Sequence, residues 1–111
     1  MDSILTSIKK LLGPAEMYDH FDPDIIMHIN SVFMILTQIG VGPAEGFTIE
    51  DDTAVWTDFV SNTTKVEAIK TYIYLKVKLV FDPPSSGAAM DAIKTTISEL
   101  EWRLNVAAET K

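Results

Sequence analysis

Apolar residues recur every three or four positions in the second half of the chain and predict two consecutive helices. Residues 65–81 carry two adjoining apolar rows, which are Val66, Ile69, Ile73, Val77 and Val80 in one and Ala68, Tyr72, Leu75 and Leu79 in the other. Together the rows give the wide apolar face of an amphipathic helix. The frequent β-branched residues would also suit a strand, but a run of this length and period favours the helix.

A proline pair ends the first of these helices. Pro83 disfavours the α conformation of the residue before it, and Ser85 or Ser86 can cap the next helix by accepting hydrogen bonds from its free N–H groups. In the second helix, predicted over residues 88–106, the apolar seam consists of Met90, Ile93, Ile97, Leu100 and Leu104. Because the connection is short, the two helices should form an antiparallel hairpin. Glu99 and Arg103 should form an ion pair across one turn.

Helix-start and helix-stop residues divide the first half of the chain into further helices. Residues 3–12 form a short amphipathic helix that Ser3 can cap, and this helix either closes one side of the bundle or reaches a neighbouring molecule. Residues 23–39 form a longer helix, with Asp22 as its cap and Gly40 just after its end. Because residues 23–39 are apolar on nearly all sides, they predict the central helix of a bundle.

A loop over residues 41–52 separates this helix from a shorter one. The shorter helix is predicted over residues 53–60, with Asp52 or Thr53 as its cap. Its apolar residues, which are predicted to face the core, are Val55, Trp56, Phe59 and Val60. Thr64 is the expected cap of the helix that follows.

These elements predict an all-α fold: a small bundle of four to five helices with a central apolar helix and an antiparallel helical hairpin. A chain of 111 residues forms one domain, residues 1–111, and can bury a core without disulfides. Hydrophobic residues make up 47% of it, so either the core is dense or apolar surface is kept for partners. The chain has no cysteine, which excludes disulfides and thiolate metal sites. No apolar run reaches the roughly 18 residues of a membrane span, and we expect no membrane contact.

The net charge of −7 is unevenly distributed. Residues 13–64 contain no Lys or Arg, whereas most of the basic residues follow them. One interpretation is an ordinary acidic surface with acids at helix starts. The other is charge complementarity between copies, in which the acidic front of one subunit meets the basic back of the next. Contacts of this head-to-tail kind can close into rings.

Candidate catalytic and metal-binding motifs are weak. His20, Asp22, Asp24 and His28 are capable of binding a metal, but a site needs three or four converging ligands, and both aspartates are already explained as helix-start residues. The glycine-rich stretch over residues 40–46 lacks the Gly-Lys-Ser/Thr ending of a phosphate-binding loop. No nucleophile motif surrounds a serine. We therefore predict no enzymatic activity, no metal and no cofactor.

The end of the last helix is a candidate surface for a partner. Trp102 lies off the apolar seam, and it is either a partly buried aromatic against an adjoining helix or the anchor of a protein–protein contact. Trp and Arg are both enriched at the energetic centres of such contacts. Trp102, Arg103, Asn105 and Val106 together form our candidate partner-binding tip.

A second candidate surface is the stripe of Lys70, Tyr74 and Lys78. These residues are one helical turn apart and are predicted to face away from the two apolar rows. The stripe is either plain surface or part of a contact between subunits.

The chain contains the segments SILTSIKKLLG, HINSVFMILTQIGVGP, IKTYIYLKVKLVFDPP and ISELEWRLNVAAE. These segments cover most of the sequence, and they resemble the small head–tail connector (adaptor, or head-completion) proteins of tailed bacteriophages. The resemblance rests on helix-core and helix-end positions, because none of the segments has a chemical mechanism of its own.

The resemblance implies a structural role in the virion neck. Connectors of this family assemble as a ring, often of twelve subunits, beneath the portal of a filled capsid. The ring extends the DNA channel, through which double-stranded DNA passes without specific binding, and it offers a surface to the stopper and tail proteins. The expected partners are therefore other copies of the chain, the portal, and the stopper or tail protein. The chain is expected to be made in the cytoplasm of the bacterial host.

Within such a ring the acidic run Glu50, Asp51 and Asp52 has two alternative roles. Either these acids pair with basic residues of the next subunit, or they line the lumen so that the channel does not grip DNA phosphates. The runner-up function is a helical DNA-packaging or regulatory protein that binds nucleic acid directly. That function would need a basic recognition helix, for which residues 65–81 are the candidate.

Overall fold

The computed structural model describes residues 3–13, 21–60, 63–81 and 83–109. Over these ranges it contains five helices: α1 (Ile4–Leu12), α2 (Asp22–Gln38), α3 (Trp56–Phe59), α4 (Thr63–Phe81) and α5 (Gly87–Glu109). The β-type pairing within these ranges is an isolated antiparallel bridge between Ser3 and Val55. The all-α prediction is therefore confirmed. Two residues to which the sequence assigned roles, His20 and Asp82, lie outside the described ranges.

Helix α4 forms the centre of the bundle, because it packs against α1, α2 and α5. Its fully buried residues are Ile69, Tyr72 and Ile73, with Val77 almost so. The sequence had assigned the central position to residues 23–39, and that prediction is wrong. Helix α2 buries one face against the core, while Met27 and Met34 on its other side are 57% and 60% exposed. The apolar residues of α2 therefore lie on two different surfaces, one packed in the core and one exposed to solvent.

Helix α1 is packed inside its own chain, as expected of a helix that closes one side of the bundle. Ile4, Leu5 and Ile8 are almost completely buried. Ser3 caps the helix as predicted, since its hydroxyl accepts a hydrogen bond from the N–H of Thr6 at 3.1 Å. In the last turn of α1 Leu12 is buried, whereas Leu11 is exposed.

A chain of hydrogen bonds joins α1 to α3. The buried indole Nε1 of Trp56 donates to the hydroxyl of Ser7 at 3.1 Å, and that hydroxyl donates to the carbonyl of Ser3 at 2.8 Å. The N–H of Ile4 donates to the carbonyl of Ala54 at 2.8 Å. These bonds satisfy polar groups that would otherwise be buried without partners at one edge of the core.

The start of α2 differs from the prediction. Asp22 is the first residue of the helix and not its cap, and Phe21 occupies the cap position without a side-chain hydrogen bond. The reason is a partner from another helix: the Lys9 ammonium lies 2.8 Å from Oδ1 of Asp22, and the Lys9 side chain is nearly buried. An acid in the first helical turn also interacts favourably with the helix dipole.

The end of α2 follows the prediction. Gly40 adopts a φ of 89°, which is the left-handed conformation that glycine favours after a helix. Its N–H donates to the carbonyl of Thr37 at 3.1 Å, and the N–H of Val41 donates to that of Leu36 at 2.8 Å. This pair of bonds is the Schellman arrangement, and it turns the chain sharply into the following loop.

Helix α3 is shorter than predicted, and neither Asp52 nor Thr53 caps it. It begins after Val55, whose N–H donates to Oδ2 of Asp58 at 2.9 Å. Thr53 instead donates to Asp51, which precedes the helix. Of the four apolar residues assigned to this helix, Trp56 and Phe59 are buried, whereas the two valines are half-buried.

The hairpin of α4 and α5 is antiparallel, as predicted. Ser86 caps α5 by accepting from the N–H of Ala89 at 3.0 Å. The phenol of Tyr72 donates to Oε2 of Glu101 at 2.8 Å and so ties the two helices together. Burial and the Glu101 carboxylate raise the pKa of Tyr72 above its usual value, which keeps the phenol protonated as a donor.

The bounds of both hairpin helices differ from those predicted. Helix α4 begins at Thr63, so Thr64 lies within it and is not its cap, and α5 continues to Glu109. Val80 was assigned to the apolar face of α4 but is 61% exposed, because it lies in the last turn of that helix.

Three phenylalanines form an aromatic cluster beside α2. The ring centroids of Phe33 and Phe59 are 4.7 Å apart, and Phe47 lies 5.1 Å from Phe33 and 5.3 Å from Phe59. Gly42 packs directly against this cluster with a φ of 86°, and a Cβ at this position would lie 2.4 Å from Cε1 of Phe59. The glycine is therefore required both for backbone conformation and for space.

We expect Gly42→Ala to lower the free energy of unfolding by about 2–3 kcal/mol, since a side chain would combine an unfavourable φ with overpacking. Chemical denaturation followed by circular dichroism measures this change. The matched control is Gly87→Ala at the start of α5, where no atom lies within 4 Å of an added Cβ. That substitution should leave stability unchanged or raise it by up to about 1 kcal/mol. Equal losses in the two variants would contradict the packing described for Gly42.

Candidate interaction surfaces

The tip of α5 presents an exposed aromatic residue. Trp102 is 64% exposed, so of the two alternatives the one in which it is partly buried against an adjoining helix is wrong. Val106, one turn further on, is also exposed, as are Arg103 and Asn105. The predicted ion pair is confirmed: Nη2 and Nε of Arg103 lie 2.9 Å and 3.1 Å from Oε1 of Glu99.

The four residues of the predicted tip therefore form one accessible patch. Trp102 and Val106 lie on the same face of the helix because they are four residues apart. Large exposed apolar side chains beside an arginine are typical of protein–protein contacts.

The acidic run lies on an exposed turn before α3. Glu50, Asp51 and Asp52 are all exposed. Oδ1 of Asp51 accepts hydrogen bonds from the hydroxyl of Thr53 at 2.6 Å and from its N–H at 3.0 Å. The pKa of Asp51 lies below its ordinary value, chiefly because of the hydrogen bond from the Thr53 hydroxyl and secondly because of the hydrogen bond from the Thr53 N–H. The Asp51 carboxylate is therefore held in one orientation while it is exposed to solvent.

The stripe on α4 is less exposed than predicted. Lys70, Tyr74 and Lys78 are half-buried, and Tyr74 packs against the edge of the core. The reason is the central position of α4, since helices on three sides leave it a narrow free face. Thr71, which adjoins the stripe, is exposed and lies on that face.

An open groove runs along the outer face of α2, and it was not predicted from the sequence. Its volume is about 810 Å³, and Met27 and Met34 line it from the helix side. The opposite wall is the loop segment from Glu45 to Thr48. The sequence carries no signal for the groove, because Met27 and Met34 on an apolar helix look like core residues until their exposure is known.

The wall of the groove is held by specific bonds to α2. The Asn30 side chain donates from Nδ2 to the carbonyl of Ile49 at 2.9 Å, and its Oδ1 accepts from the N–H of Ile49 at 2.8 Å. Phe47 packs on Phe33 within the aromatic cluster. The loop is thus fixed to the helix at two points, which gives the groove a defined shape.

Over residues 3–13, 21–60, 63–81 and 83–109, no three His, Asp or Glu side chains come together as a metal site. No helix in the same ranges is long and apolar enough to cross a membrane.

The fold and these surfaces define a small all-α protein with exposed apolar and charged patches suited to contacts with other macromolecules. The sequence profile of the phage connector protein family matches residues 4–111, so the chain belongs to that family. No curated protein and no solved structure matches it. The family is structural and not enzymatic, and the resemblance seen in the sequence is confirmed.

We expect Asn30→Ala to lower the free energy of unfolding by about 2 kcal/mol, because it leaves the buried N–H and carbonyl of Ile49 without partners. Denaturation measures the loss, and hydrogen exchange should show faster exchange of the Ile49 amide. The control is Asn105→Ala on the exposed face of α5, which should change stability by no more than about 0.5 kcal/mol. If Asn30→Ala leaves the Ile49 amide as protected as in the parent chain, the Asn30 side chain does not hold the wall.

Proposed function

We propose that this protein is a connector subunit that forms an oligomeric ring under the portal, extends the DNA channel and joins the capsid to the stopper or tail. The observation that carries the proposal is the family match over residues 4–111. The ring is expected to contain twelve subunits, and the protein acts in the neck of the virion.

The tip of α5 is proposed as the surface that contacts the portal or the tail protein. Trp102 supplies a large apolar side chain, and Arg103 supplies a charge that can pair or hydrogen-bond across the contact. Asn105 and Val106 extend the patch by one further turn. A solvated tryptophan gains most from burial in a partner, because its apolar area is large.

The acidic run and the α4 stripe are proposed to serve the ring itself. Lys70, Tyr74 and Lys78 belong to the contact between subunits or to plain surface beside it. The acidic run at residues 50–52 either joins that contact or faces the lumen. Acids in a lumen would repel DNA phosphates and let the duplex slide.

The packing of α4 favours this function over direct recognition of nucleic acid. A recognition helix must project deeply into a DNA groove, whereas α4 packs against three other helices and leaves only a narrow face accessible. The ammonium of Lys76 lies 5.8 Å from the centroid of the Tyr72 ring and so interacts with the protein itself.

We expect Trp102→Ala to weaken binding to the cognate portal or to the tail-side partner by about 30-fold, as removal of an anchor residue does. Stability should be almost unchanged, since Trp102 is exposed. The matched control is Val80→Ala, which truncates another exposed apolar side chain on a different helix. Native mass spectrometry of each variant with either partner, followed by titration, measures the effect. Parent-like binding of Trp102→Ala to both partners would remove the tip from the proposed contacts.

Replacement of Glu50, Asp51 and Asp52 by lysine should separate the two roles of the acidic run. If the acids pair subunits, the variant loses ring formation. If they line the lumen, rings persist and retain double-stranded DNA in a salt-dependent manner. The control is Asp91→Lys on the exposed face of α5, which changes a charge outside the run. Normal rings that do not retain DNA would exclude both roles.

A further inference from the structure

The α2 groove has apolar walls and an acidic rim. Met27 and Met34 are its most exposed apolar side chains, and Ser31 lies between them on the same face. Glu45 lines the opposite wall, and Asp24 is exposed at one flank of α2. None of the residues that line the groove is a lysine or arginine, and Lys9, which reaches the start of α2, is paired with Asp22. An occupant with an apolar centre and basic flanks would match it.

The stripe on α4 has the complementary pattern. Tyr74 lies between Lys70 and Lys78, one helical turn from each. Helix α4 carries four lysines and one glutamate over residues 63–81, and it is thus the basic element of the chain. The exposed neighbours of the stripe are Glu67, one turn before Lys70, and Thr71, which is small enough to allow close approach of another helix.

The dimensions of the two surfaces also agree. Lys70 and Lys78 are separated by eight residues, or about 12 Å along the helix, and Met27 and Met34 by seven residues, or about 10 Å. A tyrosine ring over Ser31 would lie between the two thioethers, and sulfur–aromatic contacts are favourable. The two lysines would then approach the acids near the groove, which are Glu45 in its wall and the exposed Asp24 on α2.

The two surfaces cannot meet within one molecule. Helix α2 packs against α4 through its buried face, and the groove lies on the side of α2 turned away from α4. We propose that the α2 groove receives the stripe of Lys70, Tyr74 and Lys78 from a second copy of this chain. The inference rests on the proposed ring function, because a contact between two different surfaces repeats from copy to copy and gives a ring when the rotation between copies closes.

The tip of α5 is a less suitable occupant. Its exposed tryptophan would fit an apolar groove, but α5 carries four acids against two basic residues, and Arg103 beside the tryptophan is already paired with Glu99. These acids would approach Glu45 and Asp24, and like charges in a contact are unfavourable. Charge complementarity therefore favours α4 over α5 as the occupant of the groove.

Disulfide trapping tests the contact directly, and the chain has no cysteine of its own to interfere. Ser31→Cys lies in the groove, and Thr71→Cys lies beside the stripe. Native mass spectrometry first establishes whether each variant forms rings, alone or on its portal. Oxidation of mixed Ser31→Cys and Thr71→Cys subunits should then give linked dimers, and the double variant should give a ladder of linked copies. The control mixture pairs Ser31→Cys with Ser98→Cys, an exposed position on α5.

The outcomes separate this inference from the ring proposal. Rings whose Ser31→Cys and Thr71→Cys subunits link no better than the control mixture would overturn the contact and leave the ring standing. A chain that forms no ring, even on its portal, would overturn both. Charge reversal gives a second readout: Glu45→Lys and Lys70→Glu should each reduce ring formation about tenfold, whereas the combination should restore part of it. Lys94→Glu on α5 is the control and should have no effect.

Discussion

Burial of α4 on three sides is the constraint on which the rest of the structure depends. Ile69, Tyr72 and Ile73 are inaccessible to solvent because α1, α2 and α5 each pack against this helix. Each of those helices consequently has one face turned inward and one turned outward. The groove of α2 and the exposed tryptophan of α5 are outer faces of this kind. The interaction surfaces are thus determined by the packing around a single helix.

Polar contacts inside the bundle fix how its elements are arranged. The Lys9–Asp22 pair joins α1 to the start of α2, and the Tyr72–Glu101 bond joins α4 to α5. A partly buried hydrogen bond is favourable chiefly because leaving its groups unpaired would be costly, so each contact disfavours alternative packings. The same logic applies to Asn30, whose two bonds to the loop define the groove.

Features that depend on neighbouring residues could be predicted from the sequence. The Ser86 cap, the Glu99–Arg103 pair and the turn at Gly40 each follow from the chemistry of a few adjacent residues. Helix periodicity likewise identified the hairpin and the all-α fold.

Features that depend on distant residues could not be predicted in this way. The sequence predicted Asp22 as a helix cap. In the structure Asp22 pairs with Lys9 of α1, and this pairing depends on tertiary packing, which the residues next to Asp22 do not determine. The central helix was misassigned because apolar residues on an outer face and on a core face look alike in sequence. The groove needs a wall contributed by a loop about twenty residues further along the chain, and local periodicity carries no information about that wall.

The acidic residues of the first half of the chain and the basic residues of the second half contribute to different surfaces of the structure. Glu45 lines the groove, Asp24 is exposed on α2 and the acidic run lies on the turn before α3, while four of the nine basic residues of the chain lie on α4. Charges of opposite sign on different faces do little for a single molecule, because exposed charges far apart are screened by salt. Between copies they steer one face toward another and disfavour the contact of like faces. An arrangement of this kind favours a directed head-to-tail assembly over a symmetric dimer, and a closed ring is the finite product of such an assembly.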